Sequence, residues 1–188
     1  MTMKCLLLAL LCCTCSCVGS PSTRDSLPER EIRDPDRARD LTLEALGIIE
    51  ADPAKAEQLL QEALAVDRYH GPAHNDLGVL YLRRSRLYEA ASEFELARKL
   101  MPGNPEPRLN LGLTLEKAGQ YELAFDAYDA ALEASPAHIR SMQAIARLKL
   151  RTGQKDERLM GMLAEIALRG ETRAWRDWAQ EQTSRLRP

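Results

Sequence analysis

The chain has 188 residues, and its 26 Lys and Arg against 28 Asp and Glu give a formal net charge of -2 at pH 7. This balance, without any basic run, argues against general nucleic-acid binding, which needs a concentrated positive surface. Hydrophobic residues make up 45% of the chain, an ordinary share for a folded domain. Strand patterns are absent, so the sequence predicts an all-helical fold.

All five cysteines lie within residues 1–17. Lys4 gives this segment a positive start, and the apolar stretch that follows is too short for a membrane-spanning helix, which needs about 20 residues. A positive start and a short apolar core are typical of a secretory signal. A zinc or disulfide role is disfavoured because no histidine lies near these cysteines and processing would remove them.

The residues before Cys17 are Thr14, Cys15 and Ser16, a run of small or weakly apolar side chains that resembles the bacterial lipobox. The resemblance implies that Cys17 is lipid-modified and anchors the protein at the cell envelope, facing the periplasm. In a cell with two membranes, Val18 after the cysteine favours the outer membrane. Thr14 departs from the usual leucine, and a plain cut after Gly19 would instead give a soluble periplasmic protein.

Residues 18–36 carry prolines and serines among alternating charges, with little to bury, so we predict a disordered linker. A first helical hairpin is predicted over 37–70. Within it, Ala56, Leu60 and Ala63 follow a small-large-small spacing, and Asp52-Pro53 offers an N-cap followed by a proline in the first turn.

Two consecutive blocks of 34 residues, 71–104 and 105–138, align without a gap. The matched residues are Leu77-Gly78 with Leu111-Gly112, Ala90 with Ala124, Phe94 with Tyr128, Ala97 with Ala131, and Pro102 with Pro136. Because two helices approach closely only where their side chains are small, we expect Gly78 to face Ala90 and Gly112 to face Ala124. Gly119 occupies a turn that requires a left-handed residue.

Residues 139–170 form a weaker copy, with Ile145-Ala146 in the Leu-Gly places and Gly153 at the turn. Arg158 falls where alanine is expected. We therefore predict that the hairpin loop is about three residues longer and that Gly161 provides the close contact. The predicted buried stripe of the second helix is Leu159, Met162, Leu163 and Ile166.

Residues 171–187 carry Trp175, Trp178 and Leu186 among charges, which is typical of a terminal helix that covers the open end of a stack. We interpret both tryptophans as capping and core residues, since their helical spacing suits packing better than a ligand cage.

The 34-residue period and its small residues resemble the tetratricopeptide repeat (TPR) family. The resemblance implies an all-α helical-hairpin solenoid over 37–187, coiled as a right-handed superhelix. It would have two clear repeats, two degenerate ones and a C-terminal capping helix. It also implies a protein-protein interaction scaffold that is not an enzyme and needs no cofactor.

In this family the first helix of each repeat lines a concave groove, and the resemblance carries that role to defined positions here. The predicted groove residues are Asn75, Val79, Leu82, Leu109, Asn110, Leu113, Arg140, Gln143, Arg147 and Arg151. Further groove positions are Asp76, Arg83, Glu116, Lys117 and Leu150, with Leu41, Ala45 and Ile48 in the first unit.

Arg140, Arg147 and Arg151 share one helical face and suit a partner with acidic groups, and Asn110 can bond a peptide backbone. The alternative is that neighbouring helices cover the apolar places and that the arginines are merely solvated.

Catalytic and metal-binding motifs were not found in the sequence. His70 and His138 share the last place of their repeats, between hairpins, and Gly71 and Pro72 separate His70 from His74. No third metal ligand of known spacing accompanies these histidines.

The carboxylate clamp of chaperone-binding TPR domains is matched at Asn110 and Arg140 but not at Asn75, Val79 or Ala144. The likeness to small lipid-anchored TPR proteins of bacterial envelopes is closer. It implies a scaffold or adaptor, for example in pilus or secretion-system assembly. The alternatives are an accessory subunit that docks an envelope hydrolase and a soluble exported chaperone.

Overall fold

The computed structural model describes residues 33–186, and within this range it contains nine α-helices and no strand. The helices are α1 Pro35–Ile48, α2 Pro53–Val66, α3 Gly71–Arg83, α4 Leu87–Leu100, α5 Glu106–Lys117, α6 Tyr121–Ala134, α7 Ile139–Arg151, α8 Glu157–Arg169 and α9 Arg173–Leu186. The predicted all-helical fold is confirmed. Within residues 33–186, each helix falls short of the length and apolar content that crossing a membrane requires.

The helices pack as consecutive hairpins, α1 with α2, α3 with α4, α5 with α6, and α7 with α8. Along the stack each first helix packs closely against the next first helix, from α1 to α3, α5 and α7, whereas the backbones of successive second helices lie further apart within the described chain. Close packing on one side and separation on the other curve the stack. The first helices therefore form its inner wall.

Three aspartates set helix starts through their side chains. Asp34, Asp52 and Asp156 accept hydrogen bonds from the backbone N–H groups of Arg37, Lys55 and Leu159 at 2.9, 2.9 and 2.8 Å. This satisfies donors that have no partner within the helix. The predicted start at Asp52-Pro53 is confirmed.

The predicted linker 18–36 is wrong at its end, because helix α1 begins at Pro35 behind the Asp34 cap. Proline at the first helical position needs no hydrogen-bond partner for its nitrogen, so Asp34-Pro35 starts a helix in the same way as Asp52-Pro53. The remainder of that linker, the predicted signal 1–17 and Cys17 lie outside the described residues.

The glycines of the two clear repeats face aromatic rings rather than the expected alanines. A methyl group placed on Gly78 would lie 2.7 Å from the ring of Phe94, and one on Gly112 would overlap the ring of Tyr128. Both rings are completely buried. Glycine is thus needed at these positions because it accommodates the flat face of a large side chain, while Ala90 and Ala124 pack within the core beside it.

Three equivalent turn residues adopt a left-handed backbone. Gly119 and Gly153 have φ of 77° and 76°, as predicted, and Ser85 takes the same place in the preceding hairpin with φ of 60°. Left-handed backbone is costly for residues with a Cβ atom, so Ser85 is strained where Gly119 is not.

The second helix of the last hairpin is shifted relative to the 34-residue repeat, and the loop before it is lengthened by less than the three residues that we predicted. Its loop has five residues, 152–156, against three in 84–86 and 118–120. The buried residues Leu159, Leu163 and Ile166 lie 35 positions after the buried Ala124, Tyr128 and Ala131, whereas the first helices of these two hairpins keep a spacing of 34.

The predicted stripe of Leu159, Met162, Leu163 and Ile166 is confirmed as buried. The proposed close contact at Gly161 is wrong, because this residue is exposed and a methyl group there would meet nothing within 4 Å. Arg158 points outward and forms an ion pair with Asp129 of α6.

The buried side chains form three clusters along the stack: one mainly in the first two hairpins, one joining α5 and α6 to α7 and α8, and one beneath α9. Trp175 and Trp178 pack against the last cluster with their rings perpendicular and 5.3 Å apart. The tryptophans therefore cover the end of the stack, as their spacing predicted.

Candidate functional site

The inner wall carries two adjoining cavities that together form a groove. The central cavity, of about 450 Å³, is lined by Leu82, Arg83, Leu113, Glu116, Lys117, Arg147 and Arg151. The distal cavity, of about 200 Å³, is lined by Leu109, Leu113, Arg140, Gln143, Ala144, Arg147, Glu171 and Trp175. Leu113 and Arg147 belong to both. The structure thus brings seven of the ten predicted groove residues together: Leu82, Leu109, Leu113, Arg140, Gln143, Arg147 and Arg151.

Glu116 organises the central cavity from a position where it is only 9% exposed. It accepts a 2.6 Å hydrogen bond from the hydroxyl of Tyr128 and forms ion pairs with Arg151 at 3.0 Å and Arg147 at 3.7 Å. Burial, reinforced by the bond to Glu116, raises the pKa of Tyr128 far above its usual value, so the phenol stays a donor. One buried carboxylate therefore connects the core of the third hairpin to two groove arginines.

All three arginines of α7 have partners within the protein. Arg140 lies 2.7 Å from both carboxylate oxygens of Glu106, while Arg147 and Arg151 share Glu116. Arg151 also lies over the ring of Tyr121, 4.8 Å from its centroid. These contacts hold the guanidinium groups in place, and all three side chains remain about half exposed toward the groove.

The asparagines of the inner wall bond to each other. Asn110 donates to the side-chain oxygen of Asn75 at 3.0 Å, and Asn75 donates to Asp76 at 3.1 Å. Burial raises the pKa of Asp76, although the Asn75 bond opposes this shift. Asn110 is 8% exposed, and its amide already donates to Asn75. The expectation that Asn110 bonds a peptide backbone stays a prediction, because the contact with Asn75 uses only one of the two N–H donors of this amide.

The first unit does not extend the groove as expected. Leu41 and Ala45 are completely or nearly buried, and Ile48 packs against the same cluster of the first two hairpins. Val79 is also partly buried against that cluster and lines neither groove cavity. At this end of the stack, the alternative that neighbouring helices cover the apolar positions is correct.

Glu171 and Trp175 line the distal cavity, a position that the sequence did not reveal. After Gly170 the chain enters α9, which packs on α8, and Arg176 donates a 2.6 Å hydrogen bond to the Gly170 carbonyl oxygen. A Cβ on Gly170 would lie 2.6 Å from the carbonyl oxygen of Ile166. This geometry depends on contacts after the last repeat, so the repeat pattern carries no signal for it.

His74 and His138 form hydrogen bonds within the fold. His74 of α3 lies 2.6 Å from a carboxylate oxygen of Glu93 and 3.0 Å from the Arg68 carbonyl oxygen, so both ring nitrogens face acceptors. His138 precedes α7 and contacts Ser141 and Glu106. Within residues 33–186, no group of three or more His, Cys, Asp or Glu side chains could hold a metal ion.

A further cavity of about 390 Å³ lies away from the inner wall, between α4, α5 and α6. Its apolar lining includes Leu111, Leu115 and Leu123, the last of which is 53% exposed. Glu95 and Arg98 at its edge form an ion pair with each other at 2.6 Å. We refer to this site as the outer cavity.

Comparison with known families identifies residues 105–138 as a tetratricopeptide repeat. This segment is the third hairpin, α5 and α6. Over 124 residues the chain is 30% identical to tetratricopeptide repeat protein 8 of Mus musculus, an alignment that covers 66% of this chain and 24% of that protein. The chain therefore spans about a quarter of that relative.

Two solved structures show the same fold. A tetratricopeptide repeat protein from Parabacteroides merdae superposes with a TM-score of 0.65 at 16% identity, covering 80% of this chain and 60% of that one. The first TPR domain of Spaghetti (RPAP3), bound to an HSP90 peptide SRMEEVD, gives a TM-score of 0.61 at 16% identity, covering 65% of this chain and 98% of that one. The described chain is thus a TPR helical solenoid.

Proposed function

We propose that this TPR solenoid is a non-enzymatic scaffold that binds an extended or helical segment of a protein partner in its concave groove. The observation that carries the proposal is the continuous groove formed by the central and distal cavities on the inner wall. Support comes from the Spaghetti (RPAP3) domain, which has this fold and is described with a bound peptide.

The charges of the central cavity favour a segment with acidic groups. Its described lining has four cations, Arg83, Lys117, Arg147 and Arg151, and one carboxylate, Glu116. Arg83 also pairs with the exposed Glu50 at 2.7 Å. Lys117 donates to two neutral groups, the Leu82 carbonyl oxygen and the Ser85 hydroxyl, so these contacts leave its charge uncompensated. Carboxylates of a partner would gain charge-assisted hydrogen bonds here.

Crosslinking tests the groove. A photo-crosslinking amino acid would replace Leu113 in the groove or, as a control, Tyr88, which is 83% exposed on α4. We expect one discrete crosslinked partner in cells from position 113 and not from position 88. Substituting Arg83→Glu together with Lys117→Glu should abolish this product, because two attractive charges become repulsive.

Arg83 and Lys117 are chosen because Arg147 and Arg151 also neutralise the buried Glu116, so reversing these arginines would destabilise the fold. The matched control is Arg173→Glu with Arg185→Glu, the same change in net charge on two exposed residues of α9. If the product persists in the groove variant or disappears in the control, the groove does not bind the partner.

The outer cavity favours a second candidate, an accessory subunit that docks an envelope hydrolase or another enzyme through its outer face. Leu123 is more than half exposed beside an apolar floor, an arrangement that suits a partner helix. A crosslinked product from position 123 but not from position 113 would support this function instead.

We further propose that the scaffold works at the bacterial cell envelope, as in pilus or secretion-system assembly, anchored through lipidated Cys17. The support is the sequence pattern of residues 1–17. A soluble periplasmic chaperone is the alternative. Cys17→Ala should abolish incorporation of a radiolabelled fatty acid and release the protein from membranes, whereas Cys15→Ala should do neither. Retained label in Cys17→Ala would show that the anchor has been assigned wrongly.

A further inference from the structure

Gln143 carries a buried amide whose donor has no protein partner. The residue is 5% exposed and lines the distal cavity on helix α7. Its Nε2 atom is buried and donates no hydrogen bond to any described residue. Buried polar atoms almost always have partners, and an exception calls for an explanation such as a ligand. The related amide of Asn110 donates a hydrogen bond to Asn75, whereas the Nε2 atom of Gln143 donates to no described residue.

Apolar side chains line the same cavity as this amide. Leu109 and Leu113 come from α5, Ala144 from α7 and Trp175 from α9, and they share the lining with charged residues. An amide donor beside an aromatic ring and two leucines suits a ligand with one acceptor oxygen next to an apolar group.

The charges around the distal cavity are nearly balanced, unlike those of the central cavity. Glu106 approaches Arg140 with both oxygens at 2.7 Å, Arg147 lies 3.7 Å from Glu116, and Glu171 adds another carboxylate to the lining. A free carboxylate placed here would meet few uncompensated positive charges. A neutral acceptor such as a main-chain carbonyl oxygen fits this environment better.

We propose that Gln143 binds the backbone of the partner, donating from Nε2 to a main-chain carbonyl oxygen of an internal extended segment whose adjacent apolar side chain packs on Trp175. This inference depends on the proposed function and deepens it. The central cavity would take the acidic part of the segment, and the distal cavity would fix its position along the groove through one hydrogen bond and one apolar contact.

Gln143→Met separates this role from a structural one. Methionine keeps the length of the side chain and removes the amide. Because the donor is unpaired in the free protein, we expect the melting temperature to stay unchanged or rise by about 2 °C. Binding should weaken about tenfold, since the complex loses a buried hydrogen bond. A glutamine that only supports the fold would give a lower melting temperature and unchanged affinity, and either result would overturn the proposal.

The probe is a 12-residue peptide selected from a random library that is displayed within a carrier loop, so that no chain end is free. Selection uses the wild-type protein, with counter-selection against the Arg83→Glu, Lys117→Glu variant. Calorimetry then measures affinity for a synthetic peptide with both ends blocked. A parallel library with free C-termini tests the other source of an acceptor oxygen. If only free C-termini bind, the acceptor is a carboxylate and the main-chain proposal is wrong.

A backbone scan locates the hydrogen bond. Each amide of the selected peptide is replaced in turn by an ester, which weakens the carbonyl oxygen as an acceptor. We expect one ester to weaken binding to the wild-type protein about fivefold and to leave binding to Gln143→Met unchanged, the signature of a direct coupling in a double-mutant cycle. Additive effects at every position would overturn the inference.

These outcomes also distinguish the two proposals. A peptide that depends on Arg83 and Lys117 but is indifferent to Gln143→Met leaves the groove function intact and overturns the inference. Failure of both libraries to yield a peptide sensitive to the groove charges overturns both.

Discussion

The second hairpin, α3 and α4, and the third, α5 and α6, share one helical framework but differ at a pair of corresponding positions. Leu82 and Phe94 of the second hairpin correspond, 34 positions later, to Glu116 and Tyr128. The aromatic rings pack on Gly78 and Gly112 in the same way. Only in the third hairpin does a phenol donate to a glutamate, which in turn holds Arg147 and Arg151 in the groove.

The comparison shows that two hairpins with the same fold can differ in whether they place a buried carboxylate beside the groove. The period and the glycines preserve the shape of each hairpin, whereas a paired change from Leu and Phe to Glu and Tyr introduces a buried carboxylate together with its donor. Either change alone would leave a buried polar group without this partner, which is costly. The third hairpin can therefore organise charges that the second cannot.

The largest effect is expected from the shared glycine contact. Gly112→Ala should lower the free energy of unfolding by about 2 kcal/mol, because the methyl group overlaps the buried ring of Tyr128, whose hydroxyl is fixed by Glu116. Gly78→Ala should cost less, since Phe94 has no such bond. Urea unfolding followed by circular dichroism measures both.

Gly161→Ala is the matched control for the glycine variants. Gly161 lies in a helix with open space around its Cα atom, so alanine should stabilise the protein by about 0.5 to 1 kcal/mol through helix propensity. Equal stabilities for Gly112→Ala and Gly161→Ala would contradict the packing described above.

Removing the hydrogen bond between Tyr128 and Glu116 should have the next largest effect on the free energy of unfolding. Tyr128→Phe makes the third hairpin resemble the second and should cost about 1.5 kcal/mol, because a buried hydrogen bond to a charged acceptor is lost. Adding Glu116→Leu should make the double variant more stable than the sum of the single changes predicts. A double-mutant cycle in urea measures this coupling, and strict additivity would show that the two residues act independently.

A substitution in the turn of the second hairpin should change stability less, and it should stabilise the protein. Ser85→Gly places glycine where Gly119 and Gly153 stand in the later hairpins and should stabilise the protein by about 1 kcal/mol, because the left-handed backbone no longer carries a Cβ atom. The hydrogen bond from Lys117 to the Ser85 hydroxyl is exposed, and its loss should subtract little. A lower melting temperature for this variant would contradict the strain assigned to Ser85.

The smallest expected effect is the pH dependence of stability that His74 gives to the second hairpin. The third hairpin has Arg108 at the corresponding position, which does not titrate near neutral pH. Burial opposes protonation of His74, but its bonds to Glu93 and to the Arg68 carbonyl oxygen raise its pKa above 6.5 overall. A raised pKa in the folded state contributes stability that is fully present below about pH 6.5 and is lost as the pH rises through the raised value.

The measurement is the difference in unfolding free energy between wild type and His74→Gln from pH 5.5 to 8.5, which should shrink as the pH rises. Both proteins carry His70→Gln in this comparison, because the pKa of His70 is lowered by burial and also by the charge of His74, and its contribution acts in the opposite direction. Glu93→Gln should reduce the same pH dependence. A difference that stays constant with pH would mean that His74 does not change its protonation on unfolding.

The residue pattern was enough to predict the helical fold, the 34-residue register of the two clear hairpins, the left-handed turn at Gly119 and the turn at Gly153. It could do so because helix periodicity, small residues at crossings and glycine in turns act over a few neighbouring positions. It also indicated most of the groove lining, since places on a helix that recur every repeat face the same way.

The partners of those side chains became visible only in the packed helices. It placed Asn75 against Asn110, gave the α7 arginines carboxylates from α5, and left the amide of Gln143 without a partner. It also showed a one-residue slip of the buried face in α8 and brought Trp175 to the groove. These features depend on distances between side chains that lie on different helices, and a repeat pattern specifies the direction of a side chain but not which partner it meets.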